Sequence, residues 1–193
     1  MLDQLIQLDH QFFFSINHGV SNPFFDWLMP VLRDRYTWIP LYVVLVVYFI
    51  RAYGLSGLIL AGFLVLTFAA TDTLSSRVIK QVVARERPCN DALIKDQVNN
   101  LVDCGTGYSF PSSHAANHFG VAIFLTMIFY RKGTWIMPAA IFWAASICLA
   151  QVYVGVHYPF DVISGAIFGS VIGYLFALLY RSLQFKYKWK PGN

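Results

Sequence analysis

The chain has 193 residues, of which 57% are hydrophobic and only 12% charged, with a formal net charge of +4. A soluble globular domain carries about 25% charged residues, so a water-facing surface over the whole molecule is excluded. The mean hydropathy of +0.54 agrees. Apolar runs at Trp38–Ile50, Leu55–Ala70, Phe119–Tyr130, Trp135–Ala150 and Val162–Tyr180 account for the missing charge. With their mildly polar flanks, several reach the roughly 20 residues that span a bilayer. The expected fold is an all-α, polytopic membrane bundle of five to six helices, forming one domain over residues 1–193. A soluble protein with a large buried helical core is the minor alternative.

Met1–His18 contains Asp3, Gln4, Gln7 and Asp9 and lacks a basic leader and a small-residue cleavage site, so no cleavable signal peptide is expected. Leu2, Leu5, Ile6, Leu8, Phe12, Phe13 and Ile16 recur near helical spacing. They predict a helix that lies in the membrane interface or packs on the bundle. Ser21-Asn22-Pro23 opens a short aromatic segment, Phe24–Leu32, and residues 1–35 read as an interfacial N-terminal part. Arg33-Asp34-Arg35 and Tyr36-Thr37-Trp38 mark a membrane–water boundary. Spans are expected over Trp38–Ile50, Leu55 to about Ile79, His114–Tyr130, Trp135–Val154 and Phe160–Tyr180, with a tight return at Gly54. Between Pro88 and Phe110 lies a long polar loop with Cys89 and Cys104, which pair in an oxidising compartment or stay as thiols; Cys148 sits in an apolar span. Gly165, Gly169 and Gly173, four residues apart, predict close approach of another helix.

If the five spans run as drawn, Arg51, Arg131, Lys132, Arg181, Lys186, Lys188 and Lys190 share one membrane face without acids nearby. The other seven Lys and Arg lie on the opposite face with the acids. This tie leaves the positive-inside rule undecided. The acid-free tail favours a cytoplasmic C-terminus, and an anionic ligand on the outer face would explain the cations there.

Three clusters on the mixed-charge face carry the chemistry. In Lys80…Arg87-Pro88, seven residues are two helical turns, so both cations are expected on one face. Together they suit a phosphate; snorkelling to lipid headgroups is the plainer reading. Pro111-Ser112-Ser113-His114 opens a helix, with proline in the first turn, hydroxyls and free N–H groups for an anion, and a histidine to move a proton. His114 and His118 are one turn apart and could hold a metal, but Ala115 stands where His-Glu-x-x-His has its glutamate. The preferred reading makes His118 and Asn117 polar helix contacts. In His157-Tyr158-Pro159-Phe160-Asp161, an aspartate one turn on can hold the imidazole as a nucleophile, or it can simply stabilise a helix start.

Lys-x6-Arg-Pro, Pro-Ser-x-His and His-x3-Asp occur in that order. Over roughly Leu55 to Tyr180 the chain thereby resembles the type-2 phosphatidic acid phosphatase family, related to vanadium haloperoxidases. The resemblance implies a helical bundle with its motifs near the outer surface of a bacterial inner membrane, acting on a lipid phosphate among membrane lipids, with no nucleic-acid partner. Lys80, Arg87, Ser112 and the Ser113 backbone would bind phosphate and His114 would protonate the leaving group. His157, oriented by Asp161, would form a phosphohistidine, with no metal or other cofactor. Undecaprenyl diphosphate is the first expected substrate; lipid A, phosphatidic acid and phosphatidylglycerol phosphate are others.

Two departures stand out. Ser113 replaces the usual glycine, which a helical backbone tolerates. Ala150 and Gln151 occupy the places of the Ser-Arg that begins the third motif, so Gln151 can offer an amide but no charge. Arg77 or Arg85 is expected to compensate. A lipid-phosphate binder without turnover is the second functional reading, and a transporter or channel, disfavoured by spans nearly free of ionisable residues, is the third.

Overall fold

The computed structural model describes residues 2–187 and is helical throughout its regular structure. Lys188 and Lys190 of the basic tail lie outside the described residues. The elements are α1 (Leu2–Asn17), α2 (Pro23–Arg33), α3 (Arg35–Thr73), α4 (Lys80–Val83), α5 (Ser113–Phe129), α6 (Ile136–Tyr153) and α7 (Pro159–Tyr187). A π-helical stretch, Leu74–Ile79, joins α3 to α4. Among the described residues, three helical runs are long and apolar enough to cross a membrane: Arg35–Val83, Ile136–Tyr153 and Pro159–Tyr187.

The first of these is folded on itself. Gly54 has φ 56° and ψ −131°, a conformation that suits residues without a Cβ. A Cβ on Gly57 would collide with the Phe49 carbonyl, so the second limb runs back beside the first. The reversal expected at Gly54 is therefore present, and α3 supplies two limbs. The first limb starts at Arg35, where Asp34 caps it by accepting from the Tyr36 N–H at 3.0 Å, a few residues earlier than the apolar run begins.

α5 and α7 form the centre of the bundle. Cβ atoms at Gly165, Gly169 and Gly173 would run into the carbonyls of Ser112, Ala116 and Gly120. Each glycine thus lets one turn of α7 rest on one turn of α5, as the four-residue spacing suggests. Phe49, Leu60, Leu64, Val121, Phe124, Ala177 and Tyr180 fill the core at one end. There Lys132 donates to the Tyr53 hydroxyl at 3.1 Å, and Arg181 donates to the Met127 carbonyl, so two of the acid-free cations meet at one end of the bundle.

At the other end α1 and α2 form a cover. Asn22 caps α2 by accepting from the N–H groups of Phe24 and Phe25, and Met29 packs against Ala150, Tyr153, Val154 and Val156. α1 packs on the bundle, the second reading of its sequence: Phe13 is buried against Val152 and Tyr158, while Leu5, Ile6, Leu8 and Phe12 are exposed on the other side. Asn17 ties α1 to the long loop, donating to Asn99 O at 2.9 Å and accepting from Asn99 N at 2.9 Å. The loop is closed by a Cys89–Cys104 disulfide, and Cys148 is a buried free thiol.

Candidate active site

The three clusters meet at the end covered by α1 and α2, held mainly by backbone. α4 stops at Val83, and Ala84 adopts the left-handed conformation, with φ 51° and ψ 34°. Lys80 and Arg87 therefore do not share a helical face; the helix ends between them. They converge through the loop: Lys80 Nζ donates to Tyr108 O at 2.8 Å, and Arg87 Nε donates to the neighbouring Gly107 O at 3.1 Å. Both are thereby fixed against the segment that leads into α5.

That segment differs from expectation by one position. α5 begins at Ser113, Ser112 is its cap, and Pro111 precedes the cap instead of filling the first turn. Ser112 Oγ accepts from Ala115 N at 3.4 Å. The backbone at Ser113 is helical, as the loss of the usual glycine requires, and Ser75 of the π-helical stretch donates to Ser113 Oγ at 3.0 Å. Helix geometry leaves the N–H groups of Ser113 and His114 without intrahelical acceptors. Ser112 N donates to Asp161 O at 2.9 Å, which locks the second cluster to the third.

His157 lies in the short link before α7 and is 2% exposed. Its Nδ1 is 3.5 Å from Asp161 Oδ2, close enough for ion pairing but outside hydrogen-bond geometry, and its Nε2 is 3.5 Å from Arg87 Nη1. The ring is thus poised between a carboxylate and a cation. Burial pushes its pKa down to about 4; Asp161 opposes the shift, while Arg87 and Lys80 add to it. The imidazole is therefore neutral at physiological pH and keeps a lone pair.

Asp161 is fully buried. Its Oδ2 accepts from Tyr158 N at 2.8 Å and its Oδ1 accepts from Arg85 Nη1 at 2.8 Å. Arg85 also donates to Asp9 Oδ2 at 2.6 Å and lies over the Tyr158 ring at 3.9 Å. This corrects the expectation for Arg85. It is bound to two carboxylates and is not spare positive charge for a ligand. Arg77 does not fill the gap either, being exposed where its neighbour Lys80 is buried. Gln151 is fully buried and neither side-chain atom has a hydrogen-bond partner.

Asp9 escapes any motif-based reading. It is fully buried, accepts from Phe160 N at 2.9 Å and from Arg85, and so joins α1 to the first turn of α7. Burial pushes its pKa up, and the hydrogen bonds from Phe160 N–H and Arg85 oppose that shift. The only hint in the sequence is a carboxylate on the otherwise apolar side of α1.

His114 borders a cavity of about 580 Å³ between the two limbs of α3 and α5, lined by Trp38, Tyr42, Leu64 and Phe68 among others. Its polar lining includes Asp72, Asn117 and His118. Asn117 donates to Asp72 Oδ1 at 2.9 Å and Thr71 donates to Asn117 Oδ1 at 2.7 Å. His118 Nδ1 bonds to the His114 carbonyl at 2.8 Å. Asn117 and His118 therefore serve as polar helix contacts. The cavity reaches His114 but not His157.

Cations, a helix N-terminus and two histidines gathered at one end of a helical bundle are parts that phosphoryl transfer can use. The chain belongs to the PAP2 superfamily, whose sequence model matches residues 37–186. It is 30% identical to a lipid A 4'-phosphatase of Bacteroides thetaiotaomicron, over 95% of this chain and 81% of that protein. A lipid A 4'-phosphatase of Porphyromonas gingivalis is 26% identical over 93% and 75%. An undecaprenyl-diphosphatase of Sulfolobus acidocaldarius is 34% identical over 73% of this chain and 62% of that one. In fold, the chain matches a PAP2-type phosphatidylglycerolphosphate phosphatase of Bacillus subtilis (TM-score 0.71, 22% identity, 95% and 87% coverage). It also matches Aquifex aeolicus LpxE (TM-score 0.67, 24% identity, 90% and 96% coverage). The protein is an integral membrane lipid phosphatase of the PAP2 type.

Proposed function

We propose that the enzyme hydrolyses a phosphomonoester of an acylated glycolipid of the lipid A kind, releasing phosphate through a phosphohistidine. The observation that carries this reading is the placement of His157 between Asp161 and Arg87, at 3.5 Å from each. The phosphoryl group sits against Lys80, Arg87, the Ser112 hydroxyl and the free N–H groups of Ser113 and His114. His157 Nε2 attacks phosphorus, and Asp161 supports the charge that develops at Nδ1. His114 takes up a proton as the phosphate anion binds beside it, and as the bond from phosphorus to the lipid oxygen breaks its imidazolium gives that oxygen the proton. Water, deprotonated by His114, then attacks the phosphohistidine, releasing inorganic phosphate and restoring both histidines. The catalytic part of the molecule is the single domain, with residues 55–180 bearing the motifs.

Substrate choice rests on two supports. Similarity to the two lipid A 4'-phosphatases extends over nearly the whole chain, and the cavity beside the proton donor has polar groups for a hydroxyl- or amide-bearing leaving group. Purified protein given a panel of lipid phosphates is expected to release phosphate fastest from the lipid A 4'-phosphate. Faster release from undecaprenyl diphosphate would replace the substrate assignment, and no release from any lipid would overturn the reading.

The active site is proposed to face the periplasm from the inner membrane, with the C-terminus in the cytoplasm. The Cys89–Cys104 disulfide beside the site suits an oxidising compartment, and the carboxylate-free cations at the other end suit the cytoplasmic face. A membrane-impermeant maleimide should label Cys89 and Cys104 in intact cells only after reduction; labelling that requires permeabilised cells would invert the topology.

A further inference from the structure

Gln151 stands where the family's third motif carries an arginine, and nothing in its own surroundings pairs its amide. The charge missing there has a candidate source outside every motif. Arg33 is the last residue of α2. Packing of Met29 and Leu32 against Ala150, Tyr153 and Val154 seats that helix end beside the final turns of α6, which carry Gln151. Arg33 is half-buried, and its Nε is enclosed without a hydrogen-bond partner. Among the described residues it makes no salt bridge: the adjacent Asp34 caps α3 through the Tyr36 N–H and acts on Arg33 only through its charge, and Asp9 and Asp161 are both taken by Arg85. Its charge is near enough to act on both Arg87 and His114.

A guanidinium withdrawn from water and held near another cation is costly unless an anion joins it. Lys80 and Arg87, both bonded to carbonyl oxygens, add to that positive charge; a phosphoryl group offsets it. Arginine also offers the planar fork that matches two phosphate oxygens. We propose that Arg33 is the third phosphate-binding cation, brought in from the N-terminal segment in place of the arginine that position 151 lacks. It makes α2 part of the binding site as well as its cover. This inference rests on the phosphatase reading of the same site.

The alternative role for Arg33 is to stabilise the C-terminal end of α2 through the helix dipole, which lysine would fill equally and which no change at position 151 would alter. The experiment therefore compares wild type, Arg33→Gln, Arg33→Lys and Arg33→Gln/Gln151→Arg, each in detergent. Phosphate release from a lipid phosphate and the melting-temperature rise produced by orthovanadate are both read. Arg33→Gln is expected to lower kcat/KM about 10²-fold, the loss typical of one transition-state donor, and to shrink the orthovanadate shift, with the ligand-free melting temperature raised or at least not lowered, because an unpaired buried charge is removed. Arg33→Lys should fall between the two. Adding Gln151→Arg should recover roughly tenfold of the lost activity. Wild-type turnover and an unchanged orthovanadate shift in Arg33→Gln would overturn the proposal. So would a loss that Arg33→Lys fully repairs and Gln151→Arg does not. If wild type hydrolyses no lipid phosphate, the phosphatase reading fails separately, and the orthovanadate shifts alone still decide whether Arg33 binds the oxyanion.

Discussion

The two sides of His157 are built from similar residues and are electrostatically opposite. On one side Arg85 is held between Asp9 and Asp161 at 2.6 and 2.8 Å, so its cation is met by two carboxylates. On the other side Arg87 and Lys80 donate to backbone carbonyls, and no carboxylate pairs with either among the described residues. Arg85 and Arg87 are only two positions apart in the chain. The turn at Ala84 and the non-helical stretch that follows it to Arg87 send them in different directions. A cation already matched by acids serves to hold the fold and orient Asp161, whereas an unmatched one leaves room for an anion.

The contrast can be broken at either arginine. Arg85→Ala leaves two buried carboxylates facing each other and should cost about 3–5 kcal/mol of stability, the usual penalty for breaking a buried pair; thermal unfolding in detergent measures it. Arg87→Ala should instead keep the melting temperature and lower kcat/KM by about 10²–10³-fold. If the two variants behave alike, the two sides are not distinct.

His157 reports on both sides through pH. Its folded pKa of about 4 lies below the 6.5 of an unfolded histidine, so its neutral form contributes stability fully above pH 6.5. That contribution is lost as pH falls through 6.5 towards 4 and amounts to about 3 kcal/mol. His157→Ala should flatten this part of the stability–pH curve. Arg87→Ala removes a cation that lowers the pKa and should reduce the loss; Asp161→Asn removes the opposing carboxylate and should enlarge it. A smaller effect is expected at Asp9. Asp9→Asn leaves Arg85 free to neutralise Asp161 more completely, which weakens the support for charge on His157. It should lower kcat about tenfold with little change in KM, a difference of about 1.4 kcal/mol. An unchanged kcat would reduce Asp9 to a tether for α1.

Much of this arrangement was legible in the chain because it rests on local chemistry. Several apolar runs reach the length of a bilayer with their flanks, although α5, expected as a span, is not among the helices long enough to cross; Gly54 marks a reversal, and Gly165, Gly169 and Gly173 repeat at the pitch of a packed helix. The ordered clusters around Lys80, His114 and His157 point to one site. What was misread depends on where a helix ends. Treating residues 80–87 as continuous helix put Lys80 and Arg87 on one face, although the helix stops at Val83 and the loop carbonyls at Gly107 and Tyr108 gather them instead. Arg85 looked free because its partners, Asp9 and Asp161, are each 76 residues away in the chain. Asp9 and Arg33 belong to no motif. Only the packing of α1 and α2 over the bundle end brings them to the site, and periodicity within a segment carries no trace of that.

The central claim is that His157 carries the phosphoryl group between lipid and water. Rapid-quench turnover of a lipid phosphate under alkaline conditions, followed by mass spectrometric mapping, tests it most directly. Phosphate should appear transiently on His157 and decay as inorganic phosphate accumulates, and His157→Ala should show neither signal. Release of phosphate by His157→Ala at the wild-type rate, or turnover with no phosphorylated His157 at any time, would contradict the account.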